Sequence, residues 1–326
     1  MKIDIRELST GGGCGCKFPL SSLELMFKGL SSDVMGSRED VGTMDISSTN
    51  TKIVSSIDFI QPILGDEELY GRVAALHAMN DLFASGVKPK GALIVLCWPR
   101  ELIGLNGAKR VMRGIEKTCA EEGVTILGGH SIDAQNPIVG LAVFGESRKT
   151  IIECNSVKVG DKLFLSKRLG VGIGCNAELK NLLDCTEVEE LRSVISTSNR
   201  IGVELGKIDG VTAMTDVTGY GLRAELDKMT SSAGLRWRIR WESIGSLNSV
   251  CRMTLEELLD LETKLGKQNR KDTLQRETPP RYSSILAGDP QTNGPLLFSV
   301  DKNSIDEVSE LFANEGTDLW AIGEVE

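Results

Sequence analysis

Histidine is scarce in this chain: its 326 residues include only 2, His77 and His130, so chemistry run by a histidine base has few candidates. Aromatic residues make up 5%, too few for a stacking platform for single-stranded nucleic acid, and the net charge of -9 argues against broad polyanion binding. No apolar run approaches the length of a membrane span, and the Met1-Lys-Ile-Asp-Ile-Arg6 opening lacks a signal peptide's apolar region. A cytoplasmic protein that engages neither membrane nor nucleic acid is therefore expected. Familiar signatures are missing too: no Gly-x-x-x-x-Gly-Lys-Ser/Thr, no Gly-x-Ser-x-Gly and no His-Glu-x-x-His occurs. Gly170-Val-Gly-Ile-Gly174 places Cys175 where a dinucleotide fingerprint needs its third glycine.

Cysteine is present but not patterned as a framework. The 8 cysteines are mostly isolated, as free thiols in a reducing cytosol would be. Cys14-Gly-Cys16 has no second closely spaced Cys/His pair to close a four-ligand zinc site. It sits instead in a run, residues 9–21, that is rich in glycine and has almost nothing to bury. Glycine makes such a segment costly to order and easy to move. Cys14 and Cys16 are soft nucleophiles, and Lys17 is a compact cation able to lower a thiol's pKa or meet a phosphate. The segment reads as a mobile lid carrying reactive groups; a frayed terminus would look similar.

Strand and helix patterns alternate along the rest, which points to α/β or α+β layering, and the length favours two domains. Strands are predicted over 52–57, 92–96, 124–127, 138–144, 162–165, 211–214, 235–239, 296–300 and near Trp320. Helices are predicted over 69–84, 108–122, 189–206, after Gly221 and over 305–314. Gly128-Gly-His-Ser-Ile-Asp133 reads as a tight loop, and the charged 264–280 stretch as a surface loop. The expected division is a lid and lead-in (1–36), a first domain (37–155) and a second (156–326).

The candidate chemistry lies in aspartates at element ends: Asp40, Asp58 closing a strand, Asp81 late on a helix, and Asp216 opening Asp216-Val-Thr-Gly-Tyr-Gly-Leu222. Any one alone is a cap or a solvated charge. Together they offer hard oxygen ligands for magnesium, which takes a few carboxylates plus waters and substrate phosphates. His77 lies one turn before Asp81 and reads as a core or supporting histidine ahead of a metal ligand. From the residues alone the chain is a two-domain enzyme using magnesium, with a thiol on a mobile loop.

Gly13-Cys-Gly-Cys-Lys17, Arg38-Glu-Asp40, Ile57-Asp-Phe59, Asn80-Asp-Leu-Phe-Ala-Ser-Gly86, Trp98-Pro99, Gly128-Gly-His-Ser-Ile-Asp133, Met214-Thr-Asp-Val-Thr-Gly-Tyr-Gly221 and Asp289-Pro-Gln-Thr292 follow one another in order along nearly the whole chain. In combination they closely resemble the selenophosphate synthetase (selenide, water dikinase) family of the aminoimidazole ribonucleotide synthetase-like superfamily. The resemblance implies two α/β domains, the first pairing across a homodimer, and conversion of ATP, selenide and water to selenophosphate, AMP and orthophosphate. The product would serve selenocysteine and selenouridine biosynthesis. Carried over residue by residue, Cys14 and Lys17 are catalytic, and Asp40, Asp81 and Asp216 hold Mg2+. Lys17, Ser37, Arg38, Glu39, Asp58 and Asp81 contact ATP, and Gly129, His130 and Ser131 form a nucleotide-contacting loop offered by the partner subunit. A selenium-delivery protein is a further partner the resemblance implies.

The departures are specific. Glu39 replaces the first of two adjacent aspartates, and His77 stands where asparagine is common. Asn293 and Pro295 interrupt a Gln-Thr-Ser-Gly-Gly pattern, and Gly266-Lys-Gln-Asn269 only loosely matches a glycine-rich family loop. Another ATP-using member of the superfamily and a catalytically silent, nucleotide-binding regulator are the rival readings.

Overall fold

The computed structural model describes residues 4–9, 12–18, 22, 26, 40–46, 49–231, 233–273 and 281–326, with the backbone alone for 16, 271–273 and 281. Two five-stranded sheets organise them. The first comprises β1 (Gly42–Asp45), β2 (Lys52–Ile60), β3 (Pro89–Trp98), β4 (Thr125–Asp133) and β5 (Ile138–Ser147), in the order β1-β2-β5-β3-β4. Only β3 and β4 run parallel, joined through a helix as a parallel pair requires. The second comprises β6 (Lys162–Leu165), β7 (Val211–Asp216), β8 (Trp237–Ile239), β9 (Leu296–Val300) and β10 (Trp320–Val325), ordered β7-β9-β6-β10-β8 and antiparallel throughout.

Helix α1 (Glu67–Ala84) is the spine between them. Asp66 caps it by accepting from the Leu69 N–H at 2.9 Å, and Glu67 and Glu68 complement the dipole at its positive end. Its predicted buried side was Val73, Leu76 and Phe83, but Tyr70, Ala74, Ala75, Ala78, Met79 and Leu82 are buried as well. No solvent stripe remains because β2 and β5 cover one flank, helix α2 (Arg100–Glu122) another, and β7 of the second sheet a third. Glycines permit this closeness: a Cβ on Gly71 would fall 2.1 Å from the Val111 carbonyl oxygen, and one on Gly114 would fall 2.0 Å from that of Glu68.

Several sequence expectations change. Helix α2 begins eight residues before the predicted 108, with a kink where Gly104 takes φ 70°. The 128–133 loop is instead part of strand β4. Gly128 takes φ 140° at a register shift, and Gly129 leaves no room for a side chain against the Ile94 carbonyl oxygen at 2.4 Å. A glycine pair read as a turn is here a bulge and a close strand approach. The single helix expected over 189–206 is two, α4 (Cys185–Ile195) and the short Ile201–Leu205, following α3 (Val171–Leu179). After α5 (Gly221–Ser231), the first part of the expected 264–280 surface loop is helix α6 (Lys264–Thr273), with Leu265 and Asn269 buried. Asn269 Nδ2 donates to the carbonyls of Gly219 and Gly288, contacts that composition does not reveal. Helices α7 (Arg281–Gly288) and α8 (Ile305–Glu315) complete the second half.

Candidate active site

Strand β2 alternates, so Val54, Ser56, Asp58 and Ile60 face the helices while Ile57 and Phe59 face away. Asp58 therefore lies inside β2 and does not end the strand, because β2 runs on to Ile60. Ser56 Oγ donates to Asp81 Oδ2 on α1 at 2.5 Å. Asp216 closes β7, buried, with Oδ2 lacking a hydrogen-bond partner among the described residues. Asp40 is held by that same half: Thr215 Oγ1 donates to it at 2.8 Å, and Lys228 Nζ on α5 donates to its other oxygen. Four aspartates distant in sequence are thus gathered where the two sheets meet α1.

Their electrostatics reflect the crowding. Burial, then repulsion from Asp58, Asp216 and Asp40, raises Asp81 well above the usual carboxylate range, although the Ser56 hydrogen bond opposes the rise. Burial and Asp40 push Asp216 up to about 8, against the pull of Lys17. Among the described residues, no three His, Cys, Asp or Glu side chains stand at metal-ligand spacing, and Asp40 is engaged by Lys228 and Thr215.

The glycine-rich segment is docked onto this cluster. The Gly13 N–H donates to the Gln61 carbonyl at 3.1 Å, and the Cys14 N–H donates to Thr292 Oγ1 at 3.0 Å. Gly13 takes φ 48°, and a Cβ there would fall 2.2 Å from Thr292 Oγ1, so glycine alone fits. Lys17 Nζ lies 3.7 Å from Asp58 Oδ1. Burial lowers the lysine's pKa, but Asp58, Cys14, Asp81 and Asp216 outweigh it and hold the lysine charged well above its ordinary range. Cys14 is 2% exposed, and its sulfur lies 2.7 Å from His77 Nε2.

The site residues read from the sequence do not all converge. Cys14, Lys17, Asp40, Asp58, Asp81 and Asp216 share one locale. Gly129, His130 and Ser131 lie on the exposed edge strand β4, paired with Ile94, Val95 and Leu96. Ser37, Arg38 and Glu39 lie outside the described residues. Three contributors escaped the sequence reading. Lys228 pairs with Asp40, and Thr292 accepts from the Cys14 amide. Buried Lys167 donates to the carbonyls of Asn293 at 2.7 Å and Thr197 at 3.1 Å, and its pKa is lowered to about 7 by burial against the pull of Asp216. In sequence Lys167 follows Ser166 and precedes Arg168, which reads as an exposed strand end. The one legible signal was Thr292, inside the quoted Asp289-Pro-Gln-Thr292 segment.

Comparison with known proteins decides the family. The profile described as "AIR synthase related protein, N-terminal domain" matches residues 38–147, and its C-terminal counterpart matches 158–326. Curated proteins named "Selenide, water dikinase" from Cronobacter sakazakii and Escherichia coli K12 are each 35% identical, over 99% of this chain and 95% of theirs. The chain belongs to the selenide, water dikinase family of AIR synthase related proteins. It is, as the resemblance implied, an enzyme of that family. Solved structures of thiamine monophosphate kinase from Aquifex aeolicus (TM-score 0.70, 19% identity, 94% of each chain) and E. coli HypE, a hydrogenase maturation protein (0.59, 19%, 95% of this chain and 84% of that one), share the fold.

Proposed function

We propose that the chain makes selenophosphate from ATP, selenide and water, releasing AMP and orthophosphate for selenocysteine and selenouridine synthesis. The observation that carries this reading is the placement of Cys14 and Lys17 against Asp58, Asp81 and Asp216. A soft nucleophile and a fixed cation lie beside a cluster of buried and half-buried carboxylates. The donor set suits a hard divalent cation such as Mg2+: it is all oxygen, burial and then neighbouring carboxylates raise Asp81 and Asp216, and Asp216 Oδ2 has no partner among the described residues. Asp40, Asp81 and Asp216 would hold it, and bound magnesium would supply charge neutralisation for the polyphosphate. Lys17, kept charged by its acidic neighbours, stabilises phosphoryl oxygens as charge shifts between them. Cys14, buried within the docked segment, holds its sulfur away from bulk water.

The homodimer belongs to the same proposal. The outer face of the first sheet exposes Met44, Ile57, Phe59, Leu93, Leu127 and Ile132, an apolar surface that the chain leaves uncovered among its described residues. A second copy laid on it would bring Gly129, His130 and Ser131, which share that sheet, toward the other subunit's nucleotide with Ser37, Arg38 and Glu39. A cytoplasmic setting fits the free state of Cys14, Cys97, Cys119, Cys154, Cys175, Cys185 and Cys251. No helix among the described residues is long and apolar enough to cross a membrane.

Anaerobic 31P NMR with magnesium, ATP and selenide tests the reading. Selenophosphate, AMP and orthophosphate should accumulate together, and only when selenide is present. Phosphoryl transfer to another acceptor would favour a different superfamily activity, and nucleotide binding without turnover would favour a regulator.

A further inference from the structure

The Cys14 thiol and the His77 ring form a buried pair whose polarity is fixed by a third group. Cys14 Sγ and His77 Nε2 are 2.7 Å apart, and both residues are at most 2% exposed. The Asn293 backbone N–H points at the other ring nitrogen, 3.3 Å from Nδ1. A backbone amide can only donate, so Nδ1 must offer its lone pair, and the single proton of a neutral imidazole is left on Nε2, facing the sulfur. A thiol donating to Nε2 would require the opposite tautomer, with two N–H groups pointed at each other.

The amide is aimed with care. Asn293 takes the left-handed φ of 51°, which asparagine tolerates better than most residues. Its Nδ2 donates to the Ile195 carbonyl at 2.7 Å and the Thr197 carbonyl at 2.9 Å, while its own carbonyl accepts from Lys167. A chain of contacts thus runs from the second half through Asn293 and His77 to the sulfur. Among the described residues, the charged groups that act on the ring are Asp58 from β2, Lys17 from the docked segment and Lys167 after β6. Burial and the two lysines outweigh Asp58 and lower the imidazole to about 4, so it is neutral at working pH.

We propose that His77 is the positioning residue of Cys14: its Nε2–H, set by the Asn293 amide, donates to the sulfur and favours the thiolate. Hydrogen bonding to the charged form of a group stabilises that form. Lys17 adds its positive charge, against the repulsion of Asp58. His77 does not serve as the base for the thiol, because the nitrogen in reach already carries a proton. This rests on the reading of Cys14 as the reactive sulfur.

Two measurements on the full chain test it, and neither needs ATP or selenide. In the first, iodoacetamide modification of Cys14 is followed against pH and localised by mass spectrometry. The burial of the sulfur scales the rate but leaves the midpoint of the profile. His77→Leu should raise that midpoint by about one unit, a roughly tenfold loss of thiolate at a given lower pH, and His77→Gln, which retains an N–H at similar reach, should recover most of it. A folded His77→Leu with the wild-type midpoint overturns the proposal. In the second, 15N-histidine NMR of the unmutated protein reads the tautomer directly, with His130→Gln assigning the two rings. A neutral Nε2–H ring at His77, perturbed by Cys14→Ser, is expected; an Nδ1–H tautomer or an imidazolium at neutral pH overturns the proposal even if no His77 variant folds. If the midpoint and tautomer behave as expected but Cys14 proves dispensable for selenophosphate, the functional reading fails and the hydrogen bond stands. If turnover needs Cys14 and the midpoint does not move, the present inference fails alone.

Discussion

The two sheets have the same number of strands and opposite surroundings. In the second, β9 is buried along its whole length, and Phe298 stacks between Phe164 at 5.6 Å and Phe312 at 5.9 Å. In the first, one face packs on α1 and α2 while the other shows Ile57 and Phe59, each 54% exposed. The second sheet is finished within one chain. The first leaves one apolar face exposed among the described residues. The carboxylate cluster lies between them and draws on both, with Asp58 and Asp81 from the first half and Asp216 from the second.

That division can be broken most sharply at the cluster. Asp81→Asn and Asp216→Asn should each cut magnesium-dependent turnover by roughly 10²–10³-fold, the scale seen when one charge-stabilising group is removed from a dry site. Steady-state rates under anaerobic conditions check this. Equal losses mark a site shared by both halves, whereas wild-type turnover in either variant would remove that half from the chemistry.

Next in size is the contrast between the sheets themselves. Phe298→Ala should cost about 3–5 kcal/mol by denaturant unfolding, as large-to-small changes in a packed core do. Phe59→Ala should cost under about 1 kcal/mol in the dissociated chain, since surface changes away from special features are small. It should instead weaken dimerisation in sedimentation experiments. If Phe59→Ala unfolds the chain as readily as Phe298→Ala, the bare face is not bare in solution.

A smaller effect separates the halves by pH. Without metal, Asp216 keeps its proton up to about 8, while an unfolded aspartate loses it near ~4. Between those values the folded state binds the extra proton, so stability falls as pH rises through the window. Asp216→Asn should flatten that part of the profile and raise Tm near pH 8 even as turnover is lost. Lys167 has the opposite sign: lowered to about 7, it makes stability rise with pH from there toward the unfolded lysine value of ~10.4. Melting curves across pH for Asp216→Asn and Lys167→Met would show the two slopes vanish separately.

The smallest expected effect is the same on both sides. Asp66 caps α1 and Asp184 caps α4, the latter with Glu187 in a capping box. Replacing either by alanine should cost about 1 kcal/mol in chemical denaturation. A much larger loss at Asp66 would mean the first half is less self-sufficient than its packing implies.

Much of this was legible in sequence, and the lapses share physical causes. β-branched runs such as Lys52-Ile-Val-Ser-Ser-Ile57 announced strands because side-chain alternation is a local property. The aspartates were legible as a group, since several carboxylates beside turn residues need a common reason. Their partners were not. Cys14 and His77 are 63 residues apart, and the Asn293 amide that sets the ring lies 216 residues beyond His77. Contacts of that reach leave no periodicity. Gly128 and Gly129 were misread because glycine marks both turns and tight strand approach. The 264–273 helix was hidden by its charge, with burial confined among its described side chains to a few positions such as Leu265 and Asn269.

Helix α1 has one more consequence. Because both halves enclose it, solvent reaches its backbone amides only when the two sheets have let go of it. Hydrogen exchange along residues 70–84 should therefore be the slowest in the chain, and it should occur in a single step. The helix works as a clasp: its exchange rate reports how strongly the two halves unfold together, a coupling that no property of either half alone would reveal.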